Sequence, residues 1–428
     1  MMLTGRVDGF ILSETFTLAK VGGVLLLAVT FAVAAVRRSD FQPGFKRAFD
    51  KRGMVVLILI IAGAVSTIIN PNPKYFFFEQ HVQFLMLFVL TRVYIDTEKR
   101  LWWALVFILL ARGADGLLGI YQYLTSPTVV RIAGNFIDPN EYACYSLVAL
   151  PIAVYLFENS IGIMKKLFFA ALGMLTVISV IISYSRSGAI TLGVMLLLFL
   201  IMGGLKFKKR LILFLIILVI FAAILPTAYW TRMETVGGLF GDEGMERSML
   251  IRRDLLGTAI QLFLSSPLFG IGYMQFRQAP LELMGGYAVQ RLRLSGHSMI
   301  LQLLAEFGLA GFIPFVALLV MALVSGFKAG AAAKRAGDEP SEASYASGKP
   351  SEASYASGKR LRLLATAVTG ALLSFLVMSF MLGTYSKYLY LLVALPMVAS
   401  DLAFSSTSPP GPGNRAQRAM TPANGGGS

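Results

Sequence analysis

GMVVLILIIAGAVSTII, residues 53–69, is a stretch of seventeen residues without a single charge. As a helix rising 1.5 Å per residue it extends about 25 Å, close to the hydrocarbon thickness of a bilayer. The run is continuous rather than alternating, which excludes a strand of a transmembrane barrel. Comparable runs lie at 18–36, 76–95, 101–124, 143–157, 167–182, 188–205, 211–229, 298–325, 361–383 and 387–404. The expected fold is all-α: a polytopic transmembrane helical bundle of about eleven spans, or twelve if residues 2–17 add part of another.

Composition supports the same class. The 428 residues are 56% hydrophobic and only 14% charged, with a mean hydropathy of +0.70, whereas soluble proteins carry about 25% charged residues. The net charge of +15 does not point to nucleic acid, because the basic residues sit in short clusters between apolar runs. Arg37, Arg38, Lys46, Arg47, Lys51 and Arg52 follow the first run. Lys99 and Arg100 precede the fourth, Lys165 and Lys166 the sixth, and Lys206, Lys208, Lys209 and Arg210 the eighth. With alternating spans all four clusters fall on one side, which the positive-inside rule makes the cytoplasm. One cysteine, Cys144, excludes an intramolecular disulfide, and Cys and His are too few for a structural zinc site. No metal and no cofactor are expected, and no cleavable signal precedes the first span.

The expected organisation follows. Residues 1–229 hold spans one to eight, and 230–297 form a structured extracytoplasmic helical loop with helical periodicity over 247–264. Span nine covers 298–327, and spans ten and eleven cover 361–404. Residues 328–360 contain PSEASYASGK twice, at 340–349 and 350–359, and read as a disordered cytoplasmic loop. The Pro/Gly/Ser-rich tail 405–428 reads the same way.

Polar residues that persist near the membrane carry the functional information. Arg112 and Asp115 lie three apart on one helical face, as a structural ion pair or as a gate or headgroup site. Glu79 and His81 read as boundary residues of the third span. In RIAGNFIDPNEYA (131–143), Asp138-Pro139-Asn140 signals a turn and a helix start, which accounts for Asp138 but not for Arg131 and Asn135 beside it. Arg186 in SYSRSG (183–188) stands at the outer mouth of spans six and seven, either snorkelling to lipid or binding an anion. The extracytoplasmic loop adds Arg247, Arg252, Arg253, Arg277, Arg291 and Arg293, but its seven basic and six acidic residues make no bulk field. Paired, permanently charged guanidinium donors suit phosphate oxygens. His297 opens the ninth span and is one of two histidines.

The pattern His297-x3-Leu301-x4-Glu306-x-Gly308-x2-Gly311, preceded by Pro267-Leu268-x-Gly270-x-Gly272 and Arg252, resembles the O-antigen ligase and O-antigen polymerase superfamily. SRSG around Arg186 and GNFIDPNEYA resemble upstream motifs of its exopolysaccharide-polymerase branches. The resemblance covers roughly residues 130–315 and rests on the order and spacing of short motifs. It implies a fold like that of the multi-span glycosyltransferases with lipid-linked donors. It also implies transfer of a glycan from a polyprenyl-diphosphate carrier to a glycan, lipid A or protein acceptor, at the outer face of the bacterial cytoplasmic membrane. His297 would then be the general base, and Arg186 and Arg252 the cations for the diphosphate leaving group. Arg131, Asn135, Asp138, Asn140, Arg253 and Arg277 would bind substrate. Inversion at the anomeric carbon without a metal is expected. Glu306, about two and a half turns beyond His297 along a straight helix, reads as a packing or lining residue. The competing reading is a transporter or flippase of a lipid-linked glycan. It calls for inverted repeats or broken helices near the midplane, and no convincing internal repeat is visible.

Overall fold

The computed structural model describes residues 29–30, 32, 38–70, 76–126, 131–136, 138–202, 247–276, 298–338, 352–380 and 388–407. Most of the first expected span, the eighth (211–229), residues 277–297 and the tail beyond 407 lie outside them. Among the described residues the chain is helical, without strands. In order these helices are α1 (Arg38–Ala48), α2 (Lys51–Ile69), α3 (Phe76–Tyr94), α4 (Glu98–Thr125), α5 (Pro139–Asn159), α6 (Ile163–Ile182), α7 (Arg186–Met202), α8 (Arg247–Ser265), α9 (Met299–Asp338), α10 (Glu352–Ser379) and α11 (Tyr388–Thr407). Seven of them, α2, α4, α5, α6, α9, α10 and α11, are long and apolar enough to cross a membrane. The chain is thus a polytopic helical membrane protein.

The helix starts follow local chemistry. Asp50 caps α2 by accepting from the backbone N–H groups of Arg52 and Gly53, and Thr97 caps α4 through Arg100 N. Asp138 caps α5 with Pro139 in its first turn, where a missing N–H costs nothing. α5 is the central helix: 83% of its apolar window is buried, and it packs against α6 and α10. α9 packs against α10, α11 and α2. Outward-facing Ile58, Ile61 and Ile68 of α2, and Ile313, Val320 and Phe327 of α9, are exposed, as lipid-facing positions should be.

Two expectations are corrected. Residues 328–360 are not a disordered loop throughout, because α9 continues to Asp338 and α10 begins at Glu352. The segment 326–338 is rich in Ala and Lys/Arg, which favour helix without any apolar face, so absence of periodicity misleads there. The ninth span is also not straight. Gly308 leaves helical geometry at φ 58, ψ −162, and the turn 267–272 closes the break. Ile271 N and Gly272 N donate to the carbonyls of Ala305 and Glu306 at 3.0 Å each. Leu309 N and Ala310 N donate to the carbonyls of Pro267 and Leu268 at 2.9 Å each. An unsatisfied peptide group is costly in the membrane interior; these four bonds satisfy the groups that the break frees. The transporter reading calls for such a break, but here it serves as a docking joint for the segment that follows α8.

Alternating helices give the bundle two ends. One gathers the C-terminus of α3, the start of α2 and the end of α11, where Arg92 pairs with Asp50 (3.1 Å) and Asp401 (2.8 Å) and Arg52 pairs with both carboxylates. Lys99, Arg100, Lys165, Lys166, Lys334 and Arg335 lie at this same end. The opposite end carries the polar motifs.

Candidate functional site

The site is built where α6 gives way to α7 and where the loop 131–138 enters α5. The α6–α7 turn is tight: Tyr184, not a glycine, sits at φ 51. A left-handed side-chain residue is strained by roughly 1–3 kcal/mol and persists only when its surroundings hold it. The hold comes from two serines. Ser183 Oγ accepts from Ser185 N at 3.2 Å, and Ser185 Oγ accepts from Gly188 N at 3.1 Å, which caps α7. Arg186 is therefore the first residue of α7 and is half-buried. A cation at a helix N-terminus opposes the helix dipole, so helix stability does not account for it.

The loop joins this turn directly. Asn140 Oδ1 accepts from Arg131 Nη2 at 3.0 Å and from Ser185 Oγ at 2.7 Å. Arg131 Nε also reaches the Ser183 carbonyl at 3.4 Å. On its other side, the Asn140 amide Nδ2 donates to Asp138 Oδ1 at 2.9 Å, the same oxygen that accepts from Asn140 N. Asn140 is buried and joins Asp138, Arg131 and the α7 cap in one network.

A buried ion pair holds the loop from behind. Arg112 Nη1 donates to Asp115 Oδ2 at 3.0 Å, with both side chains at most 2% exposed. The other oxygen, Oδ1, accepts from Asn135 N at 2.9 Å. The Arg112 guanidinium lies 5.0 Å from the Phe136 ring centre, a cation–π distance. Gly134 at φ 56 lets the chain pass, since a Cβ there would stand 2.7 Å from the Tyr142 ring and 2.9 Å from Asp115 Oδ1. The pair expected from the spacing is thus present, and it anchors the loop that carries Arg131 and Asn135.

The structure brings together Arg131, Asn135, Asp138, Asn140 and the turn bearing Arg186. Arg253 is exposed on α8, and that helix docks on the start of α9 through Leu255, Ala259 and Leu262 against Phe276 and Ala305. Arg252 lies on α8, and its side chain, like Arg277 and His297 altogether, is outside the described residues. Glu306 is buried, as a packing residue should be, and its Oε1 accepts from Gln302 Nε2 at 3.1 Å and Phe276 N at 3.4 Å. His81, read as a boundary residue of the third span, is packed inside the protein. It is 1% exposed, edge-on to Phe84, Tyr273 and Phe307 at 5.0, 5.2 and 6.1 Å. Tyr273 and Phe307 come from segments far along the chain, which is why the local sequence does not show this. Ser185 belongs to the site as well; the signal for it in the sequence is a serine just ahead of a helix start, a favoured cap. Among the described residues no group of three or more His, Cys, Asp or Glu side chains is placed to hold a metal ion.

Residues 170–316 match the family model described as O-Antigen ligase. The match covers about a third of the chain and bears out the resemblance read from the motifs. It spans Arg186, Arg252, the 267–272 joint, His297 and the break at Gly308, while the loop 131–140 lies ahead of it. No curated protein matches the chain.

Proposed function

With residues 170–316 as an O-antigen ligase domain, we propose that this membrane protein transfers a glycan from a polyprenyl-diphosphate carrier to an acceptor hydroxyl. The observation that supports this reading most is the shared Asn140 oxygen. It ties Arg131, from outside the matched region, to Ser185 and hence to the helix start bearing Arg186 inside it. Two guanidinium-bearing residues are thereby fixed at one end of the bundle, opposite the end that gathers the basic clusters. By the positive-inside rule that end faces the periplasm or cell exterior.

The chemistry assigned to each residue follows from the bonds that change. An acceptor oxygen attacks the anomeric carbon, the bond to the diphosphate oxygen breaks, and configuration inverts. His297 takes the acceptor proton, because imidazole titrates near neutral pH. Arg186 and Arg252 stabilise the charge left on the lipid diphosphate, a task that needs no metal. Arg131, Asn135, Asp138 and Asn140 form the wall of the donor site, with Arg253 and Arg277 on the α8 side.

The test is transfer by purified full-chain variants with a polyprenyl-diphosphate glycan donor, beside a separate donor-binding measurement. Arg186→Ala should raise the barrier by about 2–4 kcal/mol, the loss typical of one electrostatic catalytic donor. Arg186→Lys should still be impaired because the planar fork is lost. His297→Ala should slow transfer about 10²–10⁴-fold with donor binding nearly intact. Full turnover by both alanine variants would overturn the assignment. A strain lacking the protein separates the two products: single repeats without long chains mean polymerisation, and polymer accumulating on the carrier means ligation to a further acceptor.

A further inference from the structure

The opposite end of the bundle holds a cavity of about 720 Å³ between the start of α4, the α5–α6 connection and α10, well within the range of small-molecule sites. Its wall is of three kinds. Lys99, Lys359 and Arg360 supply cations, Glu98 and Glu158 supply carboxylates, and Trp102, Tyr155 and Ile161 supply apolar and aromatic surface. Trp102 packs on Trp103, ring centres 4.9 Å apart, and Trp103 is 47% exposed. Tryptophans one turn inside a charged helix start mark the headgroup level of a bilayer. Beside them Ile161, Ile163 and Met164 are 83%, 67% and 76% exposed, too apolar a rim for water alone. The cavity therefore stands at the membrane interface with both signs of charge and an apolar side.

We propose that this cavity binds the headgroup of a phospholipid carrying a phosphate and a primary amine, a phosphatidylethanolamine. Lys99, Lys359 and Arg360 receive the phosphate, Glu98 and Glu158 accept from the ammonium, and the acyl chains leave past Trp102 and Ile161. A free phosphate uses only the first set, and an anionic headgroup without an amine leaves the carboxylates facing like charge. A choline headgroup has no N–H to donate.

Native mass spectrometry of the purified full chain tests this, with phosphatidylethanolamine, phosphatidylcholine and phosphatidylglycerol supplied in equal amounts. One retained phosphatidylethanolamine is expected, and Lys359→Ala/Arg360→Ala should weaken its binding by at least about tenfold in Kd, since the loss of even one of the two charged hydrogen bonds is enough for that. These residues are exposed, so the fold should tolerate the change. Should that variant not accumulate, Asn159→Trp, which fills the cavity from the α5 end, should displace the lipid equally. Equal retention of phosphatidylcholine, unchanged retention by the variants, or displacement by millimolar inorganic phosphate would each overturn the proposal.

Discussion

Gly270 and Gly308 face each other across the joint in α9, and both have positive φ, 71 and 58. A Cβ on Gly270 would meet the Glu306 carbonyl group at 2.4 Å, and one on Gly308 would meet Gly270 N and the Leu268 carbonyl at 2.6 Å. Because these contacts are with backbone, no side chain can swing aside. Gly308→Ala should therefore destabilise the protein by on the order of 2–4 kcal/mol, combining strain and overpacking. Gly257→Ala is the contrast. That glycine lies in α8, with nothing within 4 Å of an added Cβ, and the change should stabilise by about 1 kcal/mol through helix propensity. Thermal unfolding of both variants in detergent checks the pair, and a rise for Gly308→Ala would mean the joint is slack. Both glycines were legible as parts of motifs. That they touch was not, since pairing between distant segments leaves no local period.

At the scale of elements, the ends of α1–α2, α3 and α11 are fastened by charge. Arg92 is fully buried and shared by Asp50 and Asp401. Asp50 and Asp401 keep Arg52 when Arg92 is removed, so Arg92→Met should cost about the 1.5–3 kcal/mol of a charged hydrogen bond and loosen this end while leaving the Arg186 end intact. Hydrogen–deuterium exchange confined to α1, the start of α2 and the end of α11 is the expected readout. Asp50 gives this fastening a pH signature. Burial favours its neutral form, but the Arg52 hydrogen bond and the charges of Arg92 and Arg52 outweigh that and hold its carboxyl below the usual 3.8. A carboxyl lowered on folding contributes stability above its unfolded value and loses it as pH falls through the folded value. The thermal midpoint should thus fall as pH drops below about 4, and Asp50→Asn should lower the plateau and flatten that slope. A wild-type slope retained in Asp50→Asn would place the titration elsewhere. In the sequence Arg52 is one of a basic loop cluster and Arg92 a lone cation near the end of an apolar run. Helix existence was readable from apolar runs, but which helix ends meet depends on packing order, which those runs do not encode.

For the whole molecule, orientation is the property on which every assignment depends. A reporter active only outside the cytoplasm should work when fused after Gly241 and stay silent after Lys349; the reverse pair of results would move the Arg186 end to the cytoplasm. The second fusion falls between two identical decapeptides, 340–349 and 350–359. The latter copy supplies the opening turns of α10, from Glu352 to Lys359, and the former lies in the connection from α9. Because the copies are the same, excising either yields one and the same chain, with Glu, Ala, Ser and Tyr still in phase ahead of Arg360. Three residues would then separate α9 from α10, within the usual span of connections in helical bundles, about 2–8 residues. Growth to a third copy would likewise lengthen only the connection between α9 and α10. Replication slippage in this stretch of the gene should therefore generate length variants that share one membrane core, and transfer activity across such a series should be flat. The duplication is a place where the chain can drift in length without the bundle registering it.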